Sequence, residues 1–534
     1  MKKKHLILIL IILIGFGIRL YRLGDNGIGF FRDEAALGFN SWSILKTGAD
    51  EYGQKLPIFL RSFEVFFLPA YVYLSVPVFA IFGLTIFATR FLSFASGTFL
   101  IYIGYLIAKE IFKKEEAALF SSFVLAISPW AIFYSKGAFE GNLALLFFSI
   151  GFYFWLKFSR LKKQKLFFVS ILFFVFSMYT YQAPRFVAPL FIAASILFSK
   201  NWLMRWKLWF SGLIFAMILY LPILTLFFSP SSYHRAIGVS IFSDVSGTPG
   251  YISNLGSFQN FYLIPRQLTS LYLHYFSPSN LFWFGDYNPQ RIVQGFSVFY
   301  IWQLPFLFIG LYKLIRRKSV DIKPLLVLSF IAPIPAALTK DSFHTYRSLI
   351  LFLPISLFIG YGIYVFFKKR TQLAKVFMTF IITFYLLWYM VNFHKLTAVR
   401  HWQDWDYGYK EISEFIKTQP KNLRVVIDNT RTQSYIHFLF HGLVSVTDYQ
   451  EISSGLVGNG KYYSSPDVLR PKVVGRFEFR EVDWPKERGD KNTLFIFPAD
   501  RLYPSEFSGD PKLELVKTIY ATGDQSAFYI IKSK

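Results

Sequence analysis

Two adjacent carboxylates, Asp33 and Glu34, lie in the first polar segment of the chain, GFFRDEAALGFN (29–40). They follow the first apolar run, so we expect them just beyond a membrane crossing. Carboxylates this close to hydrocarbon are costly unless they are paired or used in function. In a functional interpretation, one of the two carboxylates is a general base or holds an acceptor nucleophile. In a structural interpretation, Asp33 caps the following helix and Glu34 stabilises its first turn. Arg32 is a candidate counter-ion for both.

Two further polar segments carry candidate substrate-binding groups. In SKGAFEGN (135–142), the four-residue spacing of Lys136 and Glu140 predicts that both lie on one helical face. They form either an ion pair or a site in which Lys136 binds a phosphate and Glu140 a sugar hydroxyl. In YTYQAPRF (179–186), Arg185 lies near Tyr181. The guanidinium either extends to lipid headgroups or binds a phosphate through two parallel hydrogen bonds.

A fourth polar segment, TKDSFHTYRS (339–348), brings His344, Tyr346 and Arg347 together just before an apolar run. Three segments that each bring a cation to the same face suit a phosphate-bearing substrate better than three unrelated anchors. The eight histidines are scattered without metal-ligand spacing, and the chain has neither a Walker nor a Rossmann glycine motif. No cofactor is therefore predicted, and a divalent metal is left open.

The composition is that of a polytopic membrane protein, with 54% hydrophobic, 21% aromatic and only 17% charged residues. One apolar run, at 68–84, is interrupted by Pro69 and Pro77. We predict that this run does not cross the membrane but lies along its outer face or dips into it. Zero Cys excludes disulfides and thiolate metal sites. About eleven spans are predicted, near residues 5–19, 90–108, 117–134, 142–157, 166–181, 185–199, 208–228, 295–314, 324–339, 348–366 and 376–393.

The distribution of charge predicts the orientation of these spans. Residues 401–534 have as many acidic as basic side chains, so residues 1–400 carry the whole net charge of +25. The cations are concentrated in alternate short loops. Because cytoplasmic loops carry an excess of Lys and Arg, this distribution indicates how the spans are oriented and does not indicate nucleic-acid binding. The N-terminus is therefore predicted to be cytoplasmic, with an uncleaved first span. The four polar segments, and a long loop at 229–294, are then predicted to lie outside.

After residue 395 the periodicity becomes that of a soluble domain. Segments 406–419 and 432–442 have helical spacing, whereas 422–429, 492–498 and 526–533 are typical of strands. We therefore predict a membrane-spanning catalytic domain at 1–395 and a small extracytoplasmic α/β domain at 396–534.

The polar segments, in this order, resemble the polyprenyl-phosphate-sugar-dependent membrane glycosyltransferases of the GT-C fold. This superfamily includes the protein O-mannosyltransferases (glycosyltransferase family 39) and the aminoarabinose transferases that modify lipid A. The resemblance is carried by FRDEAALGFNSWSILKTG (31–48), FATRFLS (87–93), SPWAIFYSKGAFEGN (128–142), YTYQAPRFVAPL (179–190), HYFSPSNLFWFGDYN (274–288) and HTYRSLILFLPISLFIGYG (344–362).

The resemblance implies a GT-C fold with juxtamembrane helices in the first outer loop and a polyprenyl-phosphate sugar as the donor. It implies that Asp33 is the catalytic carboxylate, with Glu34 beside it. Attack opposite the phosphate would invert the anomeric configuration, and Lys136, Arg185 and Arg347 would stabilise the departing phosphate. The C-terminal domain matches no acceptor-recognition module, so the extracytoplasmic acceptor (lipid, glycan or protein) is not identified.

Two alternatives use the same features. A lipid-linked sugar flippase or transporter also needs cations near the bilayer surface, but it needs no outer acidic pair and typically shows repeats or broken helices. A surface-polysaccharide ligase or polymerase would use a lipid-pyrophosphate donor. In each case the expected partners are membrane lipids and a lipid-linked sugar, with no nucleic acid, at the plasma or inner membrane.

Overall fold

The chain, described here by a computed structural model, folds into two compact units. The first comprises Met1–Leu23 and Arg90–Met390, and the second comprises Gly24–Thr89 and Val391–Lys534. The first outer loop therefore belongs to the same unit as the C-terminal segment, because hydrogen bonds such as Tyr435–Glu51 join them. The structure describes residues 2–25, 27–63, 65–198, 205–227, 258–317, 321–368, 370–457, 461–463 and 471–534.

Helices dominate the described residues. In chain order they are α1 (Lys2–Leu20), α2 (Arg32–Thr47), α3 (Pro69–Phe82), α4 (Ile86–Phe112), α5 (Glu115–Ile127), α6 (Pro129–Ser135), α7 (Glu140–Leu161), α8 (Gln164–Thr180), α9 (Pro184–Leu197), α10 (Trp206–Phe227), α11 (Phe258–His274), α12 (Pro278–Phe282), α13 (Leu304–Ile315), α14 (Lys323–Ile331), α15 (Ile334–Ala337), α16 (Phe352–Phe367), α17 (Gln372–Val391), α18 (Thr397–Arg400), α19 (Tyr409–Lys417), α20 (Tyr435–Phe440), α21 (Val446–Val457) and α22 (Trp484–Glu487). Short 3-10 or π turns lie at Ile301–Gln303, Leu349–Leu351, Asn392–Leu396, Lys461–Tyr463 and Pro504–Glu506.

A helix or helix pair lies at each of the eleven predicted spans, although residues 199 and 228 and the part 229–257 of the predicted loop at 229–294 lie outside the described residues. By length and apolar composition alone, five described helices could cross a membrane, or six if α5 and α6, bent by 53°, form one broken span. Five more apolar helices have only 10–17 residues. The protein is thus a helical membrane protein, and the crossing of all eleven segments stays a prediction.

Helices α13 and α16 of the first unit pack with their backbones in close contact. A Cβ atom at Gly310 would overlap the Phe358 carbonyl oxygen, and one at Gly362 would overlap that of Phe306. Small residues permit such close approach, which is how helices associate where no hydrophobic driving force exists between them.

In the second unit, α2 and α3 pack against each other. At 14 residues, α3 is about 21 Å long at 1.5 Å per residue, which is shorter than the roughly 30 Å hydrocarbon core. One side of α3 is buried, including Tyr71 and Val72, whereas Leu74 and Ile81 are exposed. An apolar exposed face is consistent with the predicted position at the membrane surface.

The C-terminal segment contains a mixed six-stranded sheet, in which three neighbouring strands, β5 (Phe477–Arg480), β3 (Arg424–Asp428) and β6 (Thr493–Pro498), are parallel. Its core includes Val426, Phe495 and Ile531. The predicted helices and strands of this segment are all present, whereas β4 (Val473–Val474), β5, β7 (Leu513–Tyr520), α18, α21 and α22 were not predicted. The strands are β1 (Leu60–Ser62), β2 (Val65–Phe67), β3 (Arg424–Asp428), β4 (Val473–Val474), β5 (Phe477–Arg480), β6 (Thr493–Pro498), β7 (Leu513–Tyr520) and β8 (Ser526–Ser533). The sheet order is β4-β5-β3-β6-β8-β7, while β1 and β2 form a separate hairpin.

Candidate active site

Asp33 and Glu34 occupy the first turn of α2, which begins one residue before Asp33. Phe31 is the N-cap residue, so Asp33 is not the cap of this helix. Glu34 instead reaches back, and its Oε2 accepts the Phe31 N–H at 3.2 Å. Glu34 is buried, whereas Asp33 is partly exposed. The two carboxylates therefore differ: Glu34 accepts a backbone hydrogen bond at the start of the helix, whereas Asp33 lies partly exposed in the first turn.

Arg32, the candidate counter-ion of Asp33 and Glu34, forms hydrogen bonds with two residues far along the sequence. Its backbone N–H donates to Asp406 Oδ2 at 3.0 Å, and its Nη1 donates to Thr432 Oγ1 at 3.1 Å. Both partners belong to the C-terminal segment of the same unit. The residue next to Asp33 is therefore held by that segment.

Lys136 and Glu140 do not share a helical face, because the helix breaks between them. Lys136 directly follows α6, residues 136–138 form a turn, and Glu140 begins α7. The expectation drawn from their spacing was wrong, since it assumed a continuous helix through Gly137. The two side chains are consequently positioned by different helices.

The Lys136 ammonium group lies at the end of α1. Its Nζ donates to the carbonyl oxygens of Tyr21 at 2.5 Å and Ile18 at 3.2 Å, and the residue is only 1% exposed. Burial, together with the nearby cations Arg90 and Arg19, lowers the pKa of Lys136 to about 7. Positive groups therefore converge here, and Lys136 changes charge near neutral pH.

Glu140, Tyr346 and Tyr181 are brought together in the first unit. The Tyr346 hydroxyl donates to Glu140 Oε2 at 2.7 Å and accepts the Gly141 N–H at 2.8 Å. The ring of Tyr181 lies 4.6 Å from that of Tyr346, centre to centre. Three of the predicted residues thus form one cluster at the N-terminus of α7, where the helix dipole favours negative charge.

Arg185 lies in the first turn of α9. Its Nη1 donates to Gln182 Oε1 at 2.8 Å and its Nε to the Met178 carbonyl oxygen at 3.3 Å. The guanidinium also lies 5.9 Å from the ring centre of Tyr220. These contacts fix its direction, as a phosphate-binding guanidinium requires.

The segment 341–347 forms a charged cluster that includes two of the predicted residues. Arg347 Nη1 donates to Asp341 Oδ2 at 3.2 Å. His344 Nδ1 accepts the Arg347 N–H at 3.2 Å, and its Nε2 lies 3.7 Å from Asp341. Burial, together with Arg347 and Arg291, lowers the pKa of His344 well below its usual value. His344 is thus a neutral donor at physiological pH, and Arg347 supplies the positive charge.

The sequence analysis missed three members of this cluster. Arg291 Nη1 lies 3.5 Å from both Asp286 and Asp341. Asp286 is buried and accepts the Thr345 N–H and hydroxyl, each at 3.1 Å. The one available signal was position, since Asp286 and Asp341 lie within polar segments that had been noted. Among the described residues, no group of three or more His, Cys, Asp or Glu side chains could hold a metal ion.

A second buried acidic pair, Asp50 and Glu51, was also missed in the first outer loop. Neither side chain is exposed. Asp50 accepts the N–H groups of Tyr52 and Gln54 at 3.0 and 2.9 Å, and Glu51 accepts from the Tyr435 hydroxyl at 3.4 Å. Burial raises the pKa of Asp50 to about 6 and that of Glu51 to about 8. Glu51 is therefore largely protonated at neutral pH.

We expect Glu51→Gln to make the protein more thermostable at pH 8 than the wild type, with little difference at pH 5. The folded state binds the Glu51 proton more tightly than the unfolded state, so stability falls as pH rises from about 4.5 to about 8. The amide removes that penalty because it cannot ionise, and its oxygen still accepts a hydrogen bond while its NH2 group can donate to the Tyr435 hydroxyl oxygen. Thermal unfolding in detergent at both pH values measures the effect, with Glu414→Gln, an exposed acid, as the control. A variant destabilised at both pH values would contradict it.

One known protein family matches part of the sequence. The profile of the dolichyl-phosphate-mannose-protein mannosyltransferase family matches residues 69–225, which include Lys136, Glu140, Tyr181 and Arg185 and exclude the first-loop acids. No curated protein sequence matches the chain.

Solved structures match along nearly the whole chain. ArnT from Cupriavidus metallidurans matches in the apo state, at a TM-score of 0.57 and 12% identity, over 98% of this chain and 97% of that one. ArnT bound to undecaprenyl phosphate matches at a TM-score of 0.58 and 11% identity over the same shares. The Archaeoglobus fulgidus oligosaccharyltransferase in complex with zinc and sulfate matches at 0.50 and 16% identity, over 82% of this chain and 61% of that one.

The resemblance found in the sequence is thus confirmed at the level of fold. The chain is a membrane protein of the GT-C fold with a C-terminal α/β segment.

Proposed function

We propose that the protein is an integral-membrane glycosyltransferase that moves a sugar from a polyprenyl-phosphate donor to an extracytoplasmic acceptor. The observation that carries this proposal is the fold match over 98% of the chain to a structure that holds undecaprenyl phosphate. The match to the dolichyl-phosphate-mannose-protein mannosyltransferase family supports the same donor class.

In the proposed reaction, an acceptor hydroxyl oxygen attacks the anomeric carbon of the donor sugar. The bond from that carbon to the phosphate oxygen breaks, and the electron pair leaves with the polyprenyl phosphate. Asp33 takes the acceptor proton as the general base. Since the attack comes from the face opposite the phosphate, the anomeric configuration inverts. The donor carries its own leaving group, so the reaction needs no nucleotide.

The cations of the first unit are assigned to the leaving group. Lys136, Arg185 and Arg347 are proposed to stabilise the charge that develops on the phosphate oxygen. Arg291 is added to them, because it is only 12% exposed and shares the carboxylate of Asp341 with Arg347. Both guanidinium groups are thereby fixed before the donor binds.

The cluster of Glu140, Tyr181 and Tyr346 is assigned to the sugar. A carboxylate held by a tyrosine hydroxyl at 2.7 Å is a directed acceptor for a sugar hydroxyl. Exposed faces of aromatic rings pack well against the C–H groups of a sugar, and Tyr181 contacts Tyr346. His344, which is neutral, would donate to an oxygen of the donor. The reaction is proposed to occur at the outer face of the plasma or inner membrane, with the N-terminus in the cytoplasm.

The test is transfer by the detergent-purified protein from radiolabelled undecaprenyl-phosphate sugars, including mannose and aminoarabinose, to the total envelope fraction of the source cells. We expect label to leave the donor with stoichiometric release of undecaprenyl phosphate. The matched control is the same sugar on undecaprenyl pyrophosphate.

Transfer from the pyrophosphate donor alone would replace the proposal with a ligase or polymerase. Movement of the donor across liposomes without label transfer would replace it with a transporter.

A further inference from the structure

The helix that carries Asp33 is capped from a distant part of the chain. Its N-cap residue, Phe31, has no side-chain acceptor, although Ser, Thr, Asp and Asn are preferred at this position. The N–H of Arg32, the first residue of α2, donates to Asp406 Oδ2 at 3.0 Å across 374 positions of sequence. Asp406 is only 5% exposed. A carboxylate at this end also interacts favourably with the helix dipole.

The turn around Asp406 is rigidly built. Asp406 has a φ of 49° and Gly408 a φ of 104°. The Asp406 and Tyr407 N–H groups donate to the carbonyl oxygens of Gln403 and Trp402, at 3.3 and 3.1 Å. These contacts hold the backbone of the turn that carries the Asp406 carboxylate, and they do not depend on α2, so the turn can position the helix rather than follow it.

The segment at 29–31, which leads into α2, packs directly on this turn. Gly29 has a φ of 141°, and a Cβ atom there would overlap the Trp405 carbonyl oxygen. The ring of Phe31 lies 6.3 Å from that of Trp405, edge to face. Only a glycine permits so close an approach of the two backbones.

A second contact fixes the same residue to the sheet. Arg32 Nη1 donates to Thr432 Oγ1 at 3.1 Å, and Thr432 lies in the loop after the carboxyl end of β3. That loop is anchored by Asp428, which accepts the N–H groups of Thr430 at 3.1 Å and Val482 at 3.2 Å. In open α/β sheets this edge is where ligands bind; here the loop contacts the start of α2.

We propose that Asp406 is a positioning residue for Asp33, through which the C-terminal segment orients the catalytic carboxylate. The proposal rests on the function proposed above. Asp33 directly follows the residue whose N–H Asp406 holds, so loss of this bond loosens the turn from which Asp33 projects. A misplacement of about 1 Å can cost a factor of about a hundred in rate.

The first test compares Asp406→Ala with Asp406→Asn. We expect Asp406→Ala to lower kcat by a factor of about 10–100 with the donor KM little changed. Asparagine caps a helix about as well as aspartate, so Asp406→Asn should retain kcat within a factor of about three. Hydrogen exchange of the amides at 31–36 should quicken in Asp406→Ala, and should not in the exposed control Asp500→Ala.

The second test removes the hydrogen-bond donor, which is the backbone N–H of Arg32, and leaves Asp406 in place. Arg32 is the first helical residue, where proline is well tolerated, and Phe31 has the extended conformation that precedes a proline. Arg32→Pro and Arg32→Ala both lose the side chain, but only the proline lacks the N–H. We expect kcat to be lower in Arg32→Pro than in Arg32→Ala, and Asp406→Ala to add little to Arg32→Pro. This comparison stands if Asp406→Ala does not fold.

An unchanged kcat in folded Asp406→Ala, equal losses in Asp406→Asn and Asp406→Ala, or equal kcat values in the two Arg32 variants would each overturn the inference. If Asp33→Asn is inactive under the same conditions, such a result leaves the proposed function intact. Full activity of Asp33→Asn would instead reject the general base and, with it, the purpose of the positioning.

Discussion

Replacing Asp33 with asparagine is expected to lower glycosyl transfer by a factor of about 10²–10⁴, the usual contribution of a general base. Asparagine has nearly the same shape and cannot accept the acceptor proton. Because Asp33 is partly exposed and Phe31, not Asp33, is the N-cap residue, the substitution should leave α2 in place. The donor KM should change little, since the loss concerns the transition state.

Glu34→Gln is the matched control for this experiment. Glu34 accepts the Phe31 N–H, and glutamine serves this position of a capping box equally well. We therefore expect Glu34→Gln to keep most of the transfer activity and a similar unfolding temperature. Rates with radiolabelled undecaprenyl-phosphate sugar, measured beside thermal unfolding, separate the two carboxylates.

Robust transfer by folded Asp33→Asn would reject Asp33 as the base. If Glu34→Gln were the inactive variant instead, the catalytic role would pass to the buried carboxylate. Equal losses in both variants, with lowered unfolding temperatures, would mean that the pair serves only the helix.

The apolar helices were predictable because their signal is local. An apolar run long enough to cross a membrane can be recognised without knowing which residues it packs against. A helix or helix pair lies at every one of the predicted runs. The local rule failed at Ser128, where the helix breaks within the run at 117–134, and the expectation of one helical face failed at 136–139, where no helix connects Lys136 to Glu140. Spacing on a helical face has meaning only while the helix continues.

Sites built by long-range contacts were not predictable from spacing. Arg291 lies 3.5 Å from Asp341, which is fifty positions further along the sequence. Glu51 contacts Tyr435, which is 384 positions further along. Neither pair leaves a periodic trace in the sequence. The remote cap of α2 belongs to the same class, because an absent capping side chain at Phe31 does not reveal which distant acceptor replaces it.

In the C-terminal segment, the predicted strands are buried along most of their length. All six residues of β6 are buried, whereas β7 is mostly exposed and is interrupted between Leu515 and Lys517. The strand β5 alternates between buried and half-buried residues over only four positions. Short strands of this kind are stabilised by their neighbours in the sheet more than by their own pattern.

Lys136→Met is expected to raise the donor KM at pH 6 by a factor of about ten or more, since a charge-assisted hydrogen bond to phosphate contributes roughly 1.5–3 kcal/mol. The same substitution leaves the Tyr21 carbonyl oxygen without this donor, so the unfolding temperature should also fall. Lys410→Met, at an exposed position of the other unit, controls for loss of one positive charge.

The pH dependence separates the two roles of Lys136. With a pKa of about 7, the ammonium is charged below neutral pH and loses its proton above it. If its charge binds the phosphate, the wild-type donor KM should rise as pH increases from 7 to 9. Arginine stays charged throughout this range, so the KM of Lys136→Arg should remain nearly constant.

A wild-type donor KM that is constant from pH 6 to 9, with Lys136→Met altered only in unfolding temperature, would reject the phosphate role. Lys136 would then serve to satisfy the carbonyl groups at the end of α1, which a neutral amine also does. The phosphate would in that case depend on the guanidinium groups of Arg185 and Arg347, whose charge does not change in this range. Donor binding would then be independent of pH, which makes the wild-type profile alone decisive between the two assignments.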